Sequence, residues 1–269
     1  MSRPGAWRRH ALQVYGIGVY AFLYLPIVVL VALSFNSNEK GALWTGFTFR
    51  WYELLWQNDM VWEAARNSLQ IAGATTIAST VLGTAAALGL RGANNRTLSL
   101  ANPVLLLPIV LPEIVMAVSL LGLFGSMKFE LGFATVWFSH VVFSISYVVV
   151  VVRARLAGMD RSLEEAAADL GATPWVTFWK VTLPQLWPAV LSGALLVLTL
   201  SIDDYLITSF VSGVGNTTLP LQIYGMVRKK ITPEINAVCT LLLVATTAMT
   251  ALSWLIERSA SRLTEPKKS

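Results

Sequence analysis

Charged residues in this chain are spaced so far apart that the intervals between them decide the fold class. His10 to Glu39 encloses 28 residues without charge, Arg66 to Arg91 encloses 24, and Glu130 to Arg153 and Glu234 to Glu257 enclose 22 each. Two longer stretches are interrupted only by acids, Arg96 to Lys128 by Glu113 and Lys180 to Arg228 by Asp203-Asp204. Crossing about 30 Å of hydrocarbon takes roughly 20 residues of helix, so each interval supplies one span. Pro184 and Pro188 at one end of the longest stretch, and Gly213, Gly215 and Asn216 at the other, trim it to one. The spacing predicts an all-α polytopic membrane protein with six transmembrane helices, near 14–34, 67–90, 99–125, 133–152, 189–212 and 235–256, in one domain covering 1–269. Composition agrees: 55% of the 269 residues are apolar and 13% charged, about half the charge of a soluble domain. A water-soluble globule, a disordered chain and a coiled coil are thereby excluded.

The net charge of +5 invites a nucleic-acid reading, but the basic residues lie scattered between apolar blocks, as Lys and Arg at membrane edges do. No nucleic-acid partner is expected; membrane lipid is. Thirteen Lys and Arg fall on the cytoplasmic side if the N-terminus is inside: Arg3, Arg8, Arg9, Arg91, Arg96, Arg153, Arg155, Arg161, Lys180, Arg258, Arg262, Lys267 and Lys268. Seven fall outside, three of them in Arg228-Lys229-Lys230, against the trend. Both termini are therefore expected in the cytoplasm. The first apolar run outlasts the 7–15 residues of a signal-peptide core and is read as a retained span. The single cysteine, Cys239, allows neither an internal disulfide nor a thiolate metal cluster and reads as packing. No metal site is expected. The external segment 35–66 carries Phe35, Trp44, Phe47, Phe49, Trp51, Tyr52, Trp56 and Trp62. It reads as an interfacial aromatic belt, or more sharply as a docking surface for an external partner.

Residues 153–188, between the fourth and fifth spans, carry helical punctuation on the cytoplasmic side. Ser162 and Glu165 have the spacing of a capping box. Leu163, Ala166, Ala167 and Leu170 repeat on one helical face, and Gly171 suits a left-handed C-terminal cap. Thr173-Pro174 starts a second helix, with Trp175, Phe178, Trp179 and Thr182 on one side and Pro184 as its stop. The first helix offers small alanines rather than bulky insertion residues, which suits docking against a protein better than lying in lipid.

The string Glu165-Ala166-Ala167, three residues, Gly171, nine residues, Val181, one residue, Leu183-Pro184 resembles the EAA loop of ABC importer permeases, with Val181 in place of isoleucine. Similarity to polyamine (spermidine/putrescine) permease subunits covers most of the chain. It runs through Leu25-Pro26-Ile27, Ser34-Phe35-Asn36-Ser37, Asn67-Ser68-Leu69, Pro112-Glu113-Ile114-Val115, Phe138-Ser139-His140, Leu200-Ser201-Ile202-Asp203-Asp204 and Ser209-Phe210-Val211-Ser212-Gly213. The resemblance implies a type I ABC importer permease fold in a bacterial inner membrane. It also implies a second homologous permease, two ATPase subunits and an extracytoplasmic substrate-binding protein. Glu165, Ala166, Ala167, Gly171, Leu183 and Pro184 are the implied ATPase coupling residues. No cofactor is expected in this chain, because no phosphate-binding loop is present; ATP and magnesium belong to the partner ATPase.

Acids inside apolar spans are expensive and usually face a cavity or a partner. Straight helices would place Glu113 and Asp203 at similar depth, each roughly 21 Å from the inner face, while Pro108 and Pro112 beside Glu113 suggest a broken or kinked helix, tolerable where backbone lines a cavity. Glu113, Asp203 and Asp204 are the candidate path for a cationic substrate; alternatively an acid pairs with a cation of the partner subunit or stays protonated. Asp203 and Asp204 point about 100° apart, so one of them is free to hold subunits together instead. His140 reads as a hydrogen-bonded structural histidine. Two rivals come from other classes. An ion-coupled carrier would use Glu113, Asp203 and His140 as proton sites, but leaves the two-helix loop unexplained, and no internal repeat is evident. An intramembrane serine hydrolase at Ser139-His140 lacks the G-x-S-x-G elbow, so no catalytic residue is assigned. Other small solutes carried by the same type of importer are the alternative substrates.

Overall fold

The computed structural model describes residues 6–39, 43–229 and 232–264. Arg3, Lys40, Lys230, Lys267 and Lys268, all used above to orient the chain, lie outside the described residues, as do the side chains of Arg8, Arg9, Arg258 and Arg262. Twelve α-helices follow in order among the described residues: α1 (Ala6–Leu33), α2 (Arg50–Trp56), α3 (Asp59–Gly89), α4 (Asn95–Val110), α5 (Glu113–Ser126) and α6 (Phe133–Ala157), then α7 (Ser162–Asp169), α8 (Pro174–Thr177), α9 (Leu183–Asp203), α10 (Leu206–Val211), α11 (Leu219–Lys229) and α12 (Pro233–Thr264). A π turn at Phe178–Thr182 joins α8 to α9. Backbone proximity divides the chain into two units, residues 1–59 with 223–245 and residues 60–222 with 246–269.

In the larger unit α6 is the axis. Val136 and Phe143 on its first half pack with Ile71 of α3, Met116, Ala117, Leu120 and Phe124 of α5, and Ile207 and Val211 of α10. Val148, Val152 and Leu156 on its second half pack with Ala87 of α3 and Leu186, Val190 and Val197 of α9. Lipid is as apolar as leucine, so helices here associate by close packing rather than by hydrophobic exclusion. Gly83 of α3 shows how close: a Cβ there would stand 2.6 Å from Cβ of Val148 and 3.1 Å from the Ile145 carbonyl oxygen. Past the second core cluster, Arg153 donates to Asn102 of α4 at 2.6 Å and Arg155 donates to the Gln185 carbonyl of α9 at 3.1 Å.

In the smaller unit the aromatic segment packs largely on itself. Phe35 stacks on Phe47 and meets Phe49 and Tyr52 edge-on or tilted, all within 5.5 Å between ring centroids. The buried Asn36 holds the turn: its side chain accepts from the Thr45 amide at 3.0 Å and donates to the Leu43 carbonyl at 2.8 Å. The Trp51 indole donates to the Asn36 carbonyl at 2.7 Å. Trp44, Phe47, Phe49 and Trp56 remain more than half exposed. From Ala11 to Val29 the apolar side chains of α1 are exposed around its circumference.

Among the described residues five helical runs are long and apolar enough to span a membrane, within Ala11–Leu33, Asp59–Gly89, Phe133–Ala157, Pro174–Asp203 and Pro233–Ala251. A sixth exists only as a bent pair, α4 with α5, turned by 108°. Three boundaries differ from the sequence reading. The third span, placed over 99–125, is two helices broken beside the prolines: Leu111, which precedes Pro112, is extended at ψ 138, the conformation favoured before proline. The fifth span begins earlier and ends earlier than 189–212, because Pro184 does not stop the helix. The π turn shifts the ladder so that the Leu183 amide bonds the Phe178 carbonyl; Pro184 then falls in the first turn of a new register, where a missing amide costs nothing. The sixth span was placed over 235–256, and α12 continues past it to Thr264.

Valine at Gly83 forces α3 off α6 and is expected to destabilise the protein by about 1–3 kcal/mol. A Cβ at Gly73 of the same helix meets nothing within 4 Å, so Gly73→Ala is expected to be neutral or slightly stabilising. Thermal unfolding of the two purified variants in detergent checks this: only the first should melt earlier.

Candidate functional site

The loop between α6 and α9 is built by short-range rules. The Ser162 amide donates to Asp160 at 2.9 Å, and that bond, helped by the Ser162 hydroxyl, holds the Asp160 carboxyl below the ordinary carboxylate range. The expected Ser162–Glu165 capping box is absent. Asp160 takes the capping role, so Ser162 is already inside α7, and Glu165 is left exposed without a partner among the described residues. The glycine expectation holds. Gly171 sits at φ +83, with the Ala172 amide bonding Ala167 and the Gly171 amide bonding Ala168, the paired pattern of a left-handed cap. Thr173 caps α8, accepting from the Val176 amide at 3.4 Å. Trp175, Phe178 and Trp179 cluster edge to face.

Leu163, Glu165, Ala166 and Leu170 are exposed, Ala167 is half-buried, and Leu170 is 89% exposed. No other described residue is shown covering that apolar face. Leu183 and Pro184 stand apart from it at the start of α9. Leu183 lines an apolar cleft of about 530 Å³ between α3 and α9, with Thr76, Thr80, Thr84, Trp179 and Trp187.

The three intramembrane acids part company. Asp204 closes the break between α9 and α10: its carboxylate accepts from the Thr208 amide and hydroxyl, both at 2.8 Å, and from the Ile207 amide at 3.3 Å. His140, fully buried on α6, reaches Asp204 at 3.2 Å and Thr208 at 3.0 Å through Nε2, and Ser201 at 2.7 Å through Nδ1. With Nε2–H turned to the carboxylate, Nδ1 is free to accept the Ser201 hydroxyl proton. Asp203, the last residue of α9, is exposed, as is Glu113 in the first turn of α5. Neither has an ion-pair partner among the described residues. The straight-helix depth for Glu113 does not apply, because α4 turns by 108° before the chain reaches it.

Residues 79–265 match the family model described as binding-protein-dependent transport system inner membrane component. The chain belongs to that family. It is 42% identical over 244 residues to the spermidine/putrescine transport system permease protein PotC of Escherichia coli (strain K12), covering 91% of this chain and 92% of the relative. It is 41% identical over 255 residues to the putrescine transport system permease protein PotI of the same organism, covering 90% and 89%. Among solved structures, a chain of a bacterial ABC transporter involved in the import of the acidic polysaccharide alginate superposes with TM-score 0.74 at 15% identity, covering 96% of each chain. A chain of the inward-facing MetNI methionine ABC transporter superposes with TM-score 0.62 at 18% identity, covering 80% of this chain and 99% of that one. The fold is that of a type I ABC importer permease.

Against that family background, the residue the sequence reading missed in this permease is Glu164. Arg91 Nη1 donates to it at 2.6 Å and the Thr182 hydroxyl donates to it at 2.7 Å. A doubled glutamate offers two candidates for the inward face, and one-dimensional periodicity counted neither. The Thr182 signal was available, since that residue was already placed on a helical face.

Removing the Asp204 carboxylate orphans the Ile207 and Thr208 amides and leaves His140 Nε2 with the Thr208 hydroxyl alone. Asp204→Ala is expected to cost about 1–3 kcal/mol for each buried group left unpaired, whereas Asp203→Ala at an exposed position stays within about 0.5 kcal/mol. Thermal melts of the purified variants should separate neighbouring aspartates by this difference.

Proposed function

We propose that this chain is the membrane-spanning permease subunit of an ATP-driven importer that moves a polyamine of the spermidine/putrescine type into a bacterial cytoplasm. The whole of 1–269 is read as one permease domain of the inner membrane with both termini inside. It pairs with a second homologous permease and two ATPase subunits, and receives substrate from an external binding protein. The observation that carries the substrate class is the kinship over nine-tenths of the chain with permeases named for spermidine and putrescine. The chain itself performs no hydrolysis; ATP and magnesium are held by the ATPase.

Two features support the division of labour. The exposed face of α7, with Glu165, Ala166, Ala167 and the Gly171 cap, has the shape and compartment of an ATPase docking element. Leu183 and Pro184 set the start of the helix behind it. Glu113 and Asp203, exposed and without cation partners, are read as lining the path, where a carboxylate about 4 Å from an ammonium group contributes about 1 kcal/mol in water and about 4 near protein. Asp204, spent on His140 and the α10 amides, holds the frame rather than the substrate.

The test is reconstitution with both ATPase subunits, the second permease and the binding protein in vesicles. Wild type should take up spermidine or putrescine only with ATP inside. Glu113→Gln and Asp203→Asn keep shape and remove charge; each should slow polyamine uptake about fivefold or more, from the lower of those energies, with assembly intact. Normal uptake in both variants would overturn the acidic path.

The coupling residues have their own test. Glu165→Ala leaves α7 folded, because Asp160 supplies the cap, and should still weaken ATPase co-purification. Gly171→Val forces a β-branched residue to positive φ, at about 1–2 kcal/mol or more, and should both displace the loop and abolish uptake. Unchanged ATPase retention and uptake in the two variants would remove the docking assignment.

A further inference from the structure

Glu164 does something that neither docking nor substrate passage requires. It lies in the first turn of α7, one residue from the exposed Glu165, yet its side chain turns inward and is 23% exposed. Arg91 follows the end of α3 by two residues, and its side chain is 19% exposed. Thr182, buried, is the last residue of the π turn that feeds α9. One carboxylate therefore joins three elements: the loop helix, the end of a span, and the entry to another span.

The chemistry of the joint favours rigidity. Both oxygen-directed bonds are short, at 2.6 and 2.7 Å, and charge-assisted bonds are the stronger class. The carboxylate also occupies a helix first turn, where the exposed amides favour an anion. The Arg91 hydrogen bond holds the Glu164 carboxyl below its ordinary range, against the opposing effect of burial. The contribution is therefore complete at neutral pH and is lost only as acid titrates the carboxylate. Among the described residues α7 also packs on α8 and the π turn. A π turn is itself a register slip, a place where a helix can shift with little loss of bonding.

We propose that Arg91, Glu164 and Thr182 lock α7, the inner end of α3 and the π turn at the root of α9 into one moving body. Glu164 is thereby the positioning residue that carries displacement of the docking helix into two spans at once. This rests on the importer reading above and adds to it a division between adjacent glutamates: Glu165 faces the ATPase, Glu164 faces the membrane domain. Without Glu164 the loop still docks and still moves, but α3 and α9 no longer follow it.

The experiment uses the complete importer in nanodiscs and vesicles, with Cys239 replaced by serine. Spin labels go on Gly92→Cys, where a Cβ meets nothing within 4 Å, and on the exposed Ala168→Cys. The distance between labels is measured without nucleotide and with ATP trapped by vanadate. With Glu164 present the distance should stay the same in both states; in Glu164→Ala it should change between them. In unlabelled vesicles Glu164→Ala should keep ATP hydrolysis and ATPase co-purification while polyamine uptake per ATP falls about tenfold. Glu164→Gln, which retains an oxygen acceptor, should fall less, and the exchange Arg91→Glu with Glu164→Arg should recover most of the ratio. A label distance that already changes with Glu164 present overturns the proposal. So does an unchanged uptake ratio in Glu164→Ala, or loss of ATPase co-purification equal to that of Glu165→Ala. The label distance requires ATP alone, so an importer that carries some other solute counts against the substrate reading and leaves this measurement decisive.

Discussion

Hydrocarbon offers no hydrogen-bond partner, so every interruption of a helix inside the bilayer must settle its own backbone groups. The break after α9 depends on one carboxylate. Asp204 accepts the Ile207 and Thr208 amides that would otherwise be orphaned at the start of α10, and His140 steadies that carboxylate from α6. Because Ser201 and Thr208 hold the imidazole from either side, the network ties α6, α9 and α10 through a single buried ring. The packing of Ile207 and Val211 against Val136 and Phe143 follows from where that ring puts α10.

The other two interruptions use different devices. Between α4 and α5 the break falls at Pro112, which has no amide to satisfy, and the turn of 108° follows from the extended residue before it. Before α9 the π turn absorbs Pro184 by slipping the ladder one residue, so the helical run from Pro174 to Asp203 stays continuous through two prolines. A broken third span brings Glu113 to a helix N-terminus, where a carboxylate is favoured. A continuous fifth span attaches the α7–α8 loop directly to a transmembrane helix. Proline thus marks the break in one span and is carried inside helices elsewhere, as Pro103 and Pro108 are in α4 and Pro188 is in α9.

The loop shows the same economy. Asp160 caps α7, Gly171 ends it and Thr173 starts α8, so its shape is settled within some fifteen residues, while Glu164 settles its orientation through Arg91, more than seventy residues earlier. Shape is local and attitude is tertiary.

The spacing of charges was enough to show an all-helical membrane chain, because the hydrocarbon thickness sets a length that composition cannot disguise. The two-helix loop, its glycine cap and its capped second helix were equally legible, since capping chemistry acts over three or four residues. The proline break near Glu113 was readable as well, for the same local reason. What the chain alone left open was every contact made across helices. Asp203 and Asp204 are neighbours of identical chemistry, and only the packing of α6 against α9 and α10 gives one of them a histidine and leaves the other exposed. Glu164 and Glu165 differ in the same way: one meets Arg91 and Thr182, the other is exposed without a side-chain partner among the described residues. Periodicity states which residues share a face. Which face meets a partner is decided by helices far apart in sequence, and that is settled only when the tertiary structure brings them together.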